Sequence, residues 1–375
     1  MKSLKITTIG KYYFPFEGGV EAITKSVCDN MAAAHDVRVI AFDHGVGAEA
    51  VTINGVDVQR CATIATIKSQ PISIDAVFKI IFSKEDVLHL HSPNFVASMA
   101  VFLKHKIFGK RGRFVITHHM DVFGRPIFRR IGMFFYKDNL RRSDAVIVTS
   151  MKNAEISKDI PVPVNFRVVP LGIDLEQYQL DEIARARAAN WRSSLSGNAP
   201  LVGFVGRHAR YKGLDVLMRS AARMPGVHFV VAGDGPKRAE AESLARELGI
   251  EERVHFLGKI DHQKKIELLS VLDVFAFPST EITEAFGISQ VEAMAMGVPV
   301  VASDLPTGVT DVAQNNVNAL VVPPSDEVAL AQALSMIIEN RDLRDRLGEA
   351  AKAFVYSKLS LVKTVEETAR VVEGN

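Results

Sequence analysis

Leu201-Val202-Gly203-Phe204-Val205-Gly206-Arg207-His208-Ala209-Arg210-Tyr211-Lys212-Gly213 is where the chain starts its pattern afresh. An apolar run ends in glycine, a basic loop follows, and helical periodicity takes over across 213–224. The same alternation has already run once. Ile- and Val-rich runs at 4–9, 36–42, 86–90, 113–117 and 144–148 read as strands, with amphipathic helical segments at 20–34, 93–108 and 127–142. Beyond 201, strands are expected at 227–232, 253–257, 273–277, 299–302 and 319–322. Helices are expected at 236–248, 287–296, 326–340 and 342–354. Such alternation implies parallel sheets covered by helices on both faces. A restart halfway fits two doubly wound α/β domains better than one large sheet.

The linker is expected within 168–199, where Pro170-Leu171-Gly172 is a turn signal and Ser193 to Pro200 is rich in Ser, Gly and Asn. A last helical pattern spans 357–373. The 375 residues suit two or three domains at roughly 100–200 residues each. A composition of 47% hydrophobic and 23% charged residues excludes disorder and fibrous repeats. Cys28 and Cys61 form no disulfide framework and no C-x-x-C zinc pair, and read as reduced cytosolic thiols. No apolar run reaches the ~18–20 residues that span a bilayer, and the start is too short and polar for a signal peptide. A net charge of +2 argues against a dedicated nucleic-acid binder. That total hides a split: residues 1–170 hold 23 Lys+Arg against 15 Asp+Glu, the remainder 22 against 28.

In open parallel sheets ligands sit at the carboxyl ends of the strands, so the loops there carry the chemistry. Gly18-Gly19 opens the first helix and suits either an anion or a tight turn. Gly45-Val46-Gly47-Ala48-Glu49-Ala50 matches G-x-G-x-x-A, yet Thr52-Ile53-Asn54-Gly55-Val56 after it reads as a hairpin, and the dinucleotide fingerprint needs a helix. Arg207 offers a phosphate-bridging fork and Lys212 a point charge, or the loop is simply solvated and basic. Gly233-Asp234-Gly235-Pro236 reads as a turn. Glu284 stands before a helix starting near Phe286 or Gly287, and Glu292 stands inside it. The first-turn N–H groups suit a diphosphate and Glu292 a ribose diol. A cap and a solvated helix residue would show the same spacing.

Together these motifs resemble a known family. Glu284-x7-Glu292, Gly-Arg207-x4-Lys212-Gly, Gly18-Gly19, Pro170-Leu171-Gly172-Ile173-Asp174 and Glu292-Ala-Met-Ala-Met-Gly-Val-Pro-Val-Val301 look like the retaining GT-B glycosyltransferases of the E-x7-E, or group 1, family. The resemblance covers nearly the whole chain and has a mannosyltransferase-like look. It implies two Rossmann-like doubly wound domains facing across a cleft. Residues 1–170 would bind the acceptor, 171–354 the nucleotide-sugar, and 355–375 would cross back as a helix. It implies that Arg207 and Lys212 bind the donor diphosphate, helped by Gly19 and the backbone of Phe286, Gly287 and Ile288. Glu292 would hold the ribose and Glu284 the sugar. The family's Thr-x-His pattern falls on Thr117-His118-His119, making His119 the active-site histidine with His118 at the variable position. His118, Asp121 and His91 are placed on the acceptor side; His89 and His91 share one strand face.

No Asp-x-Asp triplet is present, so no metal or other cofactor is expected. Leaving-group charge would fall to Arg207, Lys212 and the helix N-terminus. Retention would then follow front-face attack, with the diphosphate taking the acceptor proton. The expected activity is hexose transfer, mannose from a GDP-sugar favoured over UDP-sugars, to a lipid-linked or oligosaccharide acceptor in bacterial surface polysaccharide synthesis. The rival readings are a phosphorylase or epimerase on the same fold, and a non-catalytic nucleotide-sugar-binding subunit. Eleven Lys+Arg lie in 102–142 against Asp121 and Asp138. In the helix there, Arg129, Arg130, Lys137 and Arg141 adjoin Ile127, Phe128, Ile131, Phe134 and Phe135. Either this is an interfacial helix on anionic lipid, placing the protein peripherally on the inner face of the cytoplasmic membrane, or it is a core face beside a solvated one.

Overall fold

The computed structural model describes residues 3–16, 19–67, 70–121, 126–160 and 164–374, without the side chains of residues 19 and 126–129. Gly18 and Arg125 lie outside the described residues, as do the side chains of Ile127, Phe128 and Arg129. The chain divides into two compact units, one formed by residues up to Pro170 together with Val362 onward, the other by Leu171–Leu361.

The first unit contains β1 (Lys5–Ile9), β2 (Asp36–Phe42), β3 (Ala50–Ile53), β4 (Val56–Cys61), β5 (Ala65–Ile67), β6 (Gln70–Ile72), β7 (Val87–Ser92), β8 (Arg113–His118), β9 (Ala145–Val148) and β10 (Phe166–Val168). Eight of these form one sheet in the order β10-β9-β8-β7-β1-β2-β4-β3, parallel except for β3, while β5 and β6 pair separately. The hairpin expected at 52–56 is the β3–β4 turn, with Asn54 and Gly55 both at positive φ. The Gly45–Gly47 loop folds around Asp43, whose Oδ1 accepts from the N–H groups of Gly45, Val46 and Gly47 at 3.0–3.1 Å. No helix follows it, so the dinucleotide match is a loop.

The second unit contains β11 (Leu201–Val205), β12 (His228–Ala232), β13 (Val254–Gly258), β14 (Val274–Phe277), β15 (Val300–Ser303) and β16 (Ala319–Val322). All are parallel in the order β13-β12-β11-β14-β15-β16. Both units are thus Rossmann-like. Counting parallel strands only, each sheet winds outward from its first strand and reverses once, between β1 and β7 and between β11 and β14. The pleat explains the near-continuous apolar strands. Phe275 and Phe277 enter one core cluster while Val274 and Ala276 enter the other, so both faces of the sheet are buried.

The expected linker is mostly ordered. Asp181 accepts from the N–H of Ala184 and caps a helix over Glu182–Ser196, preceded by a 3₁₀ turn over Leu175–Tyr178. The Ser- and Gly-rich signal marks only that helix's end. The helices Ile74–Phe82 and His262–Leu269 also lie outside the sequence reading.

The helix Arg341–Lys358 is followed by Leu361–Glu373, which buries Thr364, Val365, Thr368, Ala369 and Val372. Within the first unit Arg113 donates to the Val371 carbonyl at 2.9 and 3.1 Å, and Thr364 Oγ1 to that of Pro170 at 2.8 Å. Where the chain leaves and re-enters the second unit, Ile173 N–H donates to the Leu359 carbonyl (2.9 Å) and Leu361 N–H to the Ile173 carbonyl (2.8 Å). This bridge leaves no room at Gly172, where a Cβ would lie 2.3 Å from the Ser360 oxygen. Gly172→Ala is therefore expected to lower the urea unfolding midpoint by the equivalent of about 1–3 kcal/mol, the usual cost of overpacking. An unchanged midpoint would show that the crossing is not tightly paired.

Candidate functional site

The reversal between β11 and β14 sends their following loops to opposite faces of the sheet and leaves a crevice at the strand ends. The loop after β11 ends in a 3₁₀ turn, Arg210–Lys212, and then Gly213 at φ 67°. A Cβ on Gly213 would stand 2.0 Å from the Pro278 carbonyl oxygen. Glycine thus permits the β11 loop to dock on the β14 loop, sealed by Thr280 N–H donating to the Tyr211 carbonyl at 2.8 Å. The docking brings Lys212 Nζ to 2.5 Å from Glu284 Oε2, both side chains about nine-tenths buried. Ser279 Oγ donates to the same oxygen at 3.0 Å, and Thr307 Oγ1 to the Glu284 carbonyl at 2.8 Å. The ammonium also sits 5.2 Å from the Phe277 ring centroid and 5.4 Å from that of Tyr211.

Three residues on, Gly287 opens the helix Ile288–Ala295 with no side chain capping its first turn. The positive end of that helix therefore faces the crevice without a side-chain acceptor. Phe286 is buried, and its carbonyl accepts from Gln290 Nε2 at 2.9 Å. Glu292 is also buried. Its Oε1 accepts from Tyr178 Oη at 2.8 Å and Lys265 Nζ at 2.5 Å. Burial, and then the Glu292 charge, push the Tyr178 hydroxyl far above its ordinary range, so it stays a donor. Arg207 is exposed and has no side-chain partner among the described residues.

The first unit repeats the plan. A cavity opens at the reversal between β1 and β7, lined by residues that include Gly10, Tyr12, Thr24, His91, Ser92 and His119. Gly19 begins the helix Gly19–Ala32, which carries Thr24. His91 Nδ1 lies 2.9 Å from His119 Nε2, and the rings stack at 17°. Burial, reinforced by neighbouring imidazoles, pulls His119 down to about 3 and His91 well below its ordinary value; burial alone takes His89 to about 4. All three are neutral imidazoles at neutral pH. His118 turns away: its Nδ1 meets Tyr136 Oη at 2.7 Å and its Nε2 meets Asp121 Oδ1 at 3.2 Å. Asp121 also accepts from Ser157 Oγ and from Lys158 N–H, so its carboxylate ties loops together. Among the described residues, no group of three or more His, Cys, Asp or Glu is arranged to hold a metal ion.

The structure thus joins Lys212 to Glu284 just before the helix start at Phe286, Gly287 and Ile288, holds Glu292 within that helix on Tyr178 and Lys265, and sets His91 with His119 around one cavity. It sets His118 and Asp121 apart from that cavity as a pair. Sequence reading missed Ser279, Lys265, Tyr178 and Thr307. Ser279, flanking the E-x7-E run, carried a usable signal as a polar residue two positions past a strand end. Tyr178 and Lys265 carried none, being brought in from distant segments.

The chain is similar to known proteins along nearly all its length. The model of "Glycosyltransferase Family 4" matches residues 17–177 and that of "Glycosyl transferases group 1" residues 187–354. A D-rhamnosyltransferase, WbpZ, of Pseudomonas aeruginosa is 28% identical over 90% of this chain and 87% of its own. The O-antigen chain mannosyltransferase C of Escherichia coli is 27% identical over 93% and 92%. Among solved structures, Anabaena HepE in complex with UDP superposes with a TM-score of 0.80 at 20% identity, covering 99% of this chain and all of that one, which speaks for the GT-B fold. The motifs, the paired Rossmann-like units and these matches agree that this chain belongs to the group 1 glycosyltransferases of the GT-B fold.

Proposed function

We propose that this glycosyltransferase moves a hexose from a nucleotide-sugar to a lipid-linked or oligosaccharide acceptor, with retention and without a metal, in surface polysaccharide synthesis. The observation that carries the reading is the Lys212–Glu284 pair beside an uncapped helix N-terminus, with Glu292 held by Tyr178 and Lys265. A diphosphate entering the crevice meets Lys212, exposed Arg207 and the N–H groups at Gly287 and Ile288. Glu292 keeps its second oxygen for the ribose diol, and Glu284, steadied by Ser279, orients the sugar. In the transfer step the acceptor oxygen bonds to the anomeric carbon as the bond to the diphosphate breaks on the same face. The proton passes from the acceptor hydroxyl to the departing phosphate oxygen. Lys212, Arg207 and the helix end balance the developing charge. His119 serves as a neutral hydrogen-bonding group toward the sugar. The relatives named for mannosyl and rhamnosyl transfer favour a GDP-sugar, whereas HepE was solved with UDP and UDP-glucose.

A thermal-shift screen with GDP-, UDP- and ADP-sugars, followed by transfer assays and determination of the product anomer, tests this directly. One nucleotide-sugar is expected to raise the Tm and to yield a retained anomer. An inverted product, or turnover that needs inorganic phosphate or no acceptor at all, would overturn the reading. Glu284→Gln, which leaves Lys212 a hydrogen-bond partner, is expected to fold and to lose transfer. Glu284→Ala adds a stability cost of about 3–5 kcal/mol from the uncompensated buried ammonium. Full activity in the Gln variant would sink the assignment. Lys212→Ala is expected to cut kcat by about 10²–10³-fold, as for loss of one preorganised electrostatic contact. The low values of His91 and His119 mean that neither imidazole titrates between about pH 5.5 and 8, around the ordinary histidine value. The kcat/KM profile is expected to lack a histidine limb there; a limb that vanishes in His119→Asn would contradict the neutral role.

A further inference from the structure

The two carboxylates of the E-x7-E run are held in the same way. On Glu284, Oε2 meets both the Lys212 ammonium at 2.5 Å and the Ser279 hydroxyl at 3.0 Å. On Glu292, Oε1 meets both the Lys265 ammonium at 2.5 Å and the Tyr178 hydroxyl at 2.8 Å. Each acid thus gives one oxygen to a lysine and a hydroxyl, and its other oxygen accepts from no side chain among the described residues. A charge partner plus a second donor on the same atom meets the condition for burying a carboxylate. Ser279 reaches its acid from only five positions away, whereas the pair on Glu292 comes from far along the chain.

Each member of that pair is fixed on its own account. Tyr178 ends the 3₁₀ turn Leu175–Tyr178, which Asp174 caps by accepting from Glu176 N–H at 3.2 Å. Its ring is buried in the core cluster that also holds Val291 and Ala295 of the Glu292 helix, and it meets His262 edge-on at 6.0 Å. Lys265 leaves the first turn of the helix His262–Leu269, capped by Asp261 through Lys264 N–H at 2.8 Å. Three separate elements therefore converge on one carboxylate. An unengaged carboxyl group turns readily about its last torsion, whose energy profile is broad, and so follows whatever donor is present. With Oε1 tied from two directions, Glu292 Oε2 is left at one place. An oxygen with two lone pairs suits both hydroxyls of a ribose. When one hydroxyl is missing, the tied group cannot swing to recover the contact, and a site built to bond a hydroxyl rejects the analogue without it.

We infer that Tyr178 and Lys265 are positioning residues that, by pinning Glu292 Oε1, make the site selective for ribonucleoside diphosphates over their 2′-deoxy forms, an inference that rests on the donor reading above. Neither residue needs to touch the sugar being transferred. Lys265 supplies the opposite charge, and Tyr178, anchored in the core, supplies the direction. Removing either one leaves Glu292 in place but lets its carboxyl group turn, so that a nucleotide with a single ribose hydroxyl is met almost as well as one with two.

The test is calorimetric binding of GDP, UDP and ADP, each beside its 2′-deoxy form, to the full wild-type chain and to Tyr178→Phe, Lys265→Met and Lys265→Arg. The nucleotide that the wild type accepts is expected to bind about 10–100-fold more tightly than its deoxy form, the worth of a hydrogen bond to a charged group. In Tyr178→Phe and in Lys265→Met that ratio is expected to shrink at least about fivefold, while Lys265→Arg, which keeps a charged donor, retains most of it. The ratio is the readout because damage to the fold lowers both affinities together and leaves it unchanged. In transfer assays Tyr178→Phe should raise the donor KM and leave kcat within about threefold, since the ribose is remote from the bond that breaks. Binding needs neither acceptor nor turnover, so it reports even where transfer fails. A wild type that discriminates, with both substitutions keeping its ratio, would overturn the inference and leave the donor reading intact. A wild type that binds none of the nucleotides, or binds ribo and deoxy forms equally, would overturn both. Should Tyr178→Phe fail to fold, Lys265→Met, on a separate helix, decides the outcome.

Discussion

A carboxyl group nearly out of water is tolerated only where it is paired and hydrogen-bonded. Glu284 meets that condition through Lys212 and Ser279, which follow β11 and β14, while Thr307, after β15, holds its backbone carbonyl. Much of the second unit serves this one pairing. The order of its sheet sets β11 beside β14, and Gly213 lets the two loops close to carbonyl contact. The αL glycine at 287 then starts a helix whose free end faces the same crevice. A charge held this firmly is already in place when a ligand arrives, so little reorganisation is left for the reaction. Under the proposed function the same arrangement would give Lys212 two competing claims, the carboxylate and an incoming diphosphate.

The first unit obeys the same topological rule with different chemistry. Its reversal lies between β1 and β7, and its cavity is walled by stacked imidazoles and by the loop after β1. The imidazoles there stay uncharged, because burial keeps His89, His91 and His119 neutral, while Lys11 and Glu21 line the same cavity. One unit therefore offers cations and a helix end, the other neutral imidazoles suited to hydroxyls. The charge split between the halves of the sequence follows a different logic. In the first half, several cations are internal struts and others surround an apolar helix layer.

The sheets were legible because fully buried parallel strands must be apolar throughout, as in Val274–Phe277, and because glycines mark the turns after them. The E-x7-E run was legible for the same reason: strand end, loop and helix start lie within one short stretch. What escaped depends on packing across distance. Glu182–Ser196 is a polar helix resting on few buried alanines, so it looked like linker. Ile74–Phe82 is apolar on both sides, which hides helical periodicity. Tyr178 and Lys265 reach Glu292 from 114 and 27 residues away, a distance that local pattern does not encode. The doubled histidine was ambiguous until the backbone turned after β8, sending His118 to Tyr136 and His119 to the cavity.

The central claim is that the crevice between the β11 and β14 loops receives the nucleotide diphosphate. Hydrogen–deuterium exchange with and without GDP or UDP addresses it most directly, because backbone amides at a helix end are the proposed ligands. Slowed exchange is predicted at 206–213 and 284–292 in the wild type, and much less of it in Lys212→Ala. Protection confined to other segments, with these two unaffected while the nucleotide is demonstrably bound, would contradict the account.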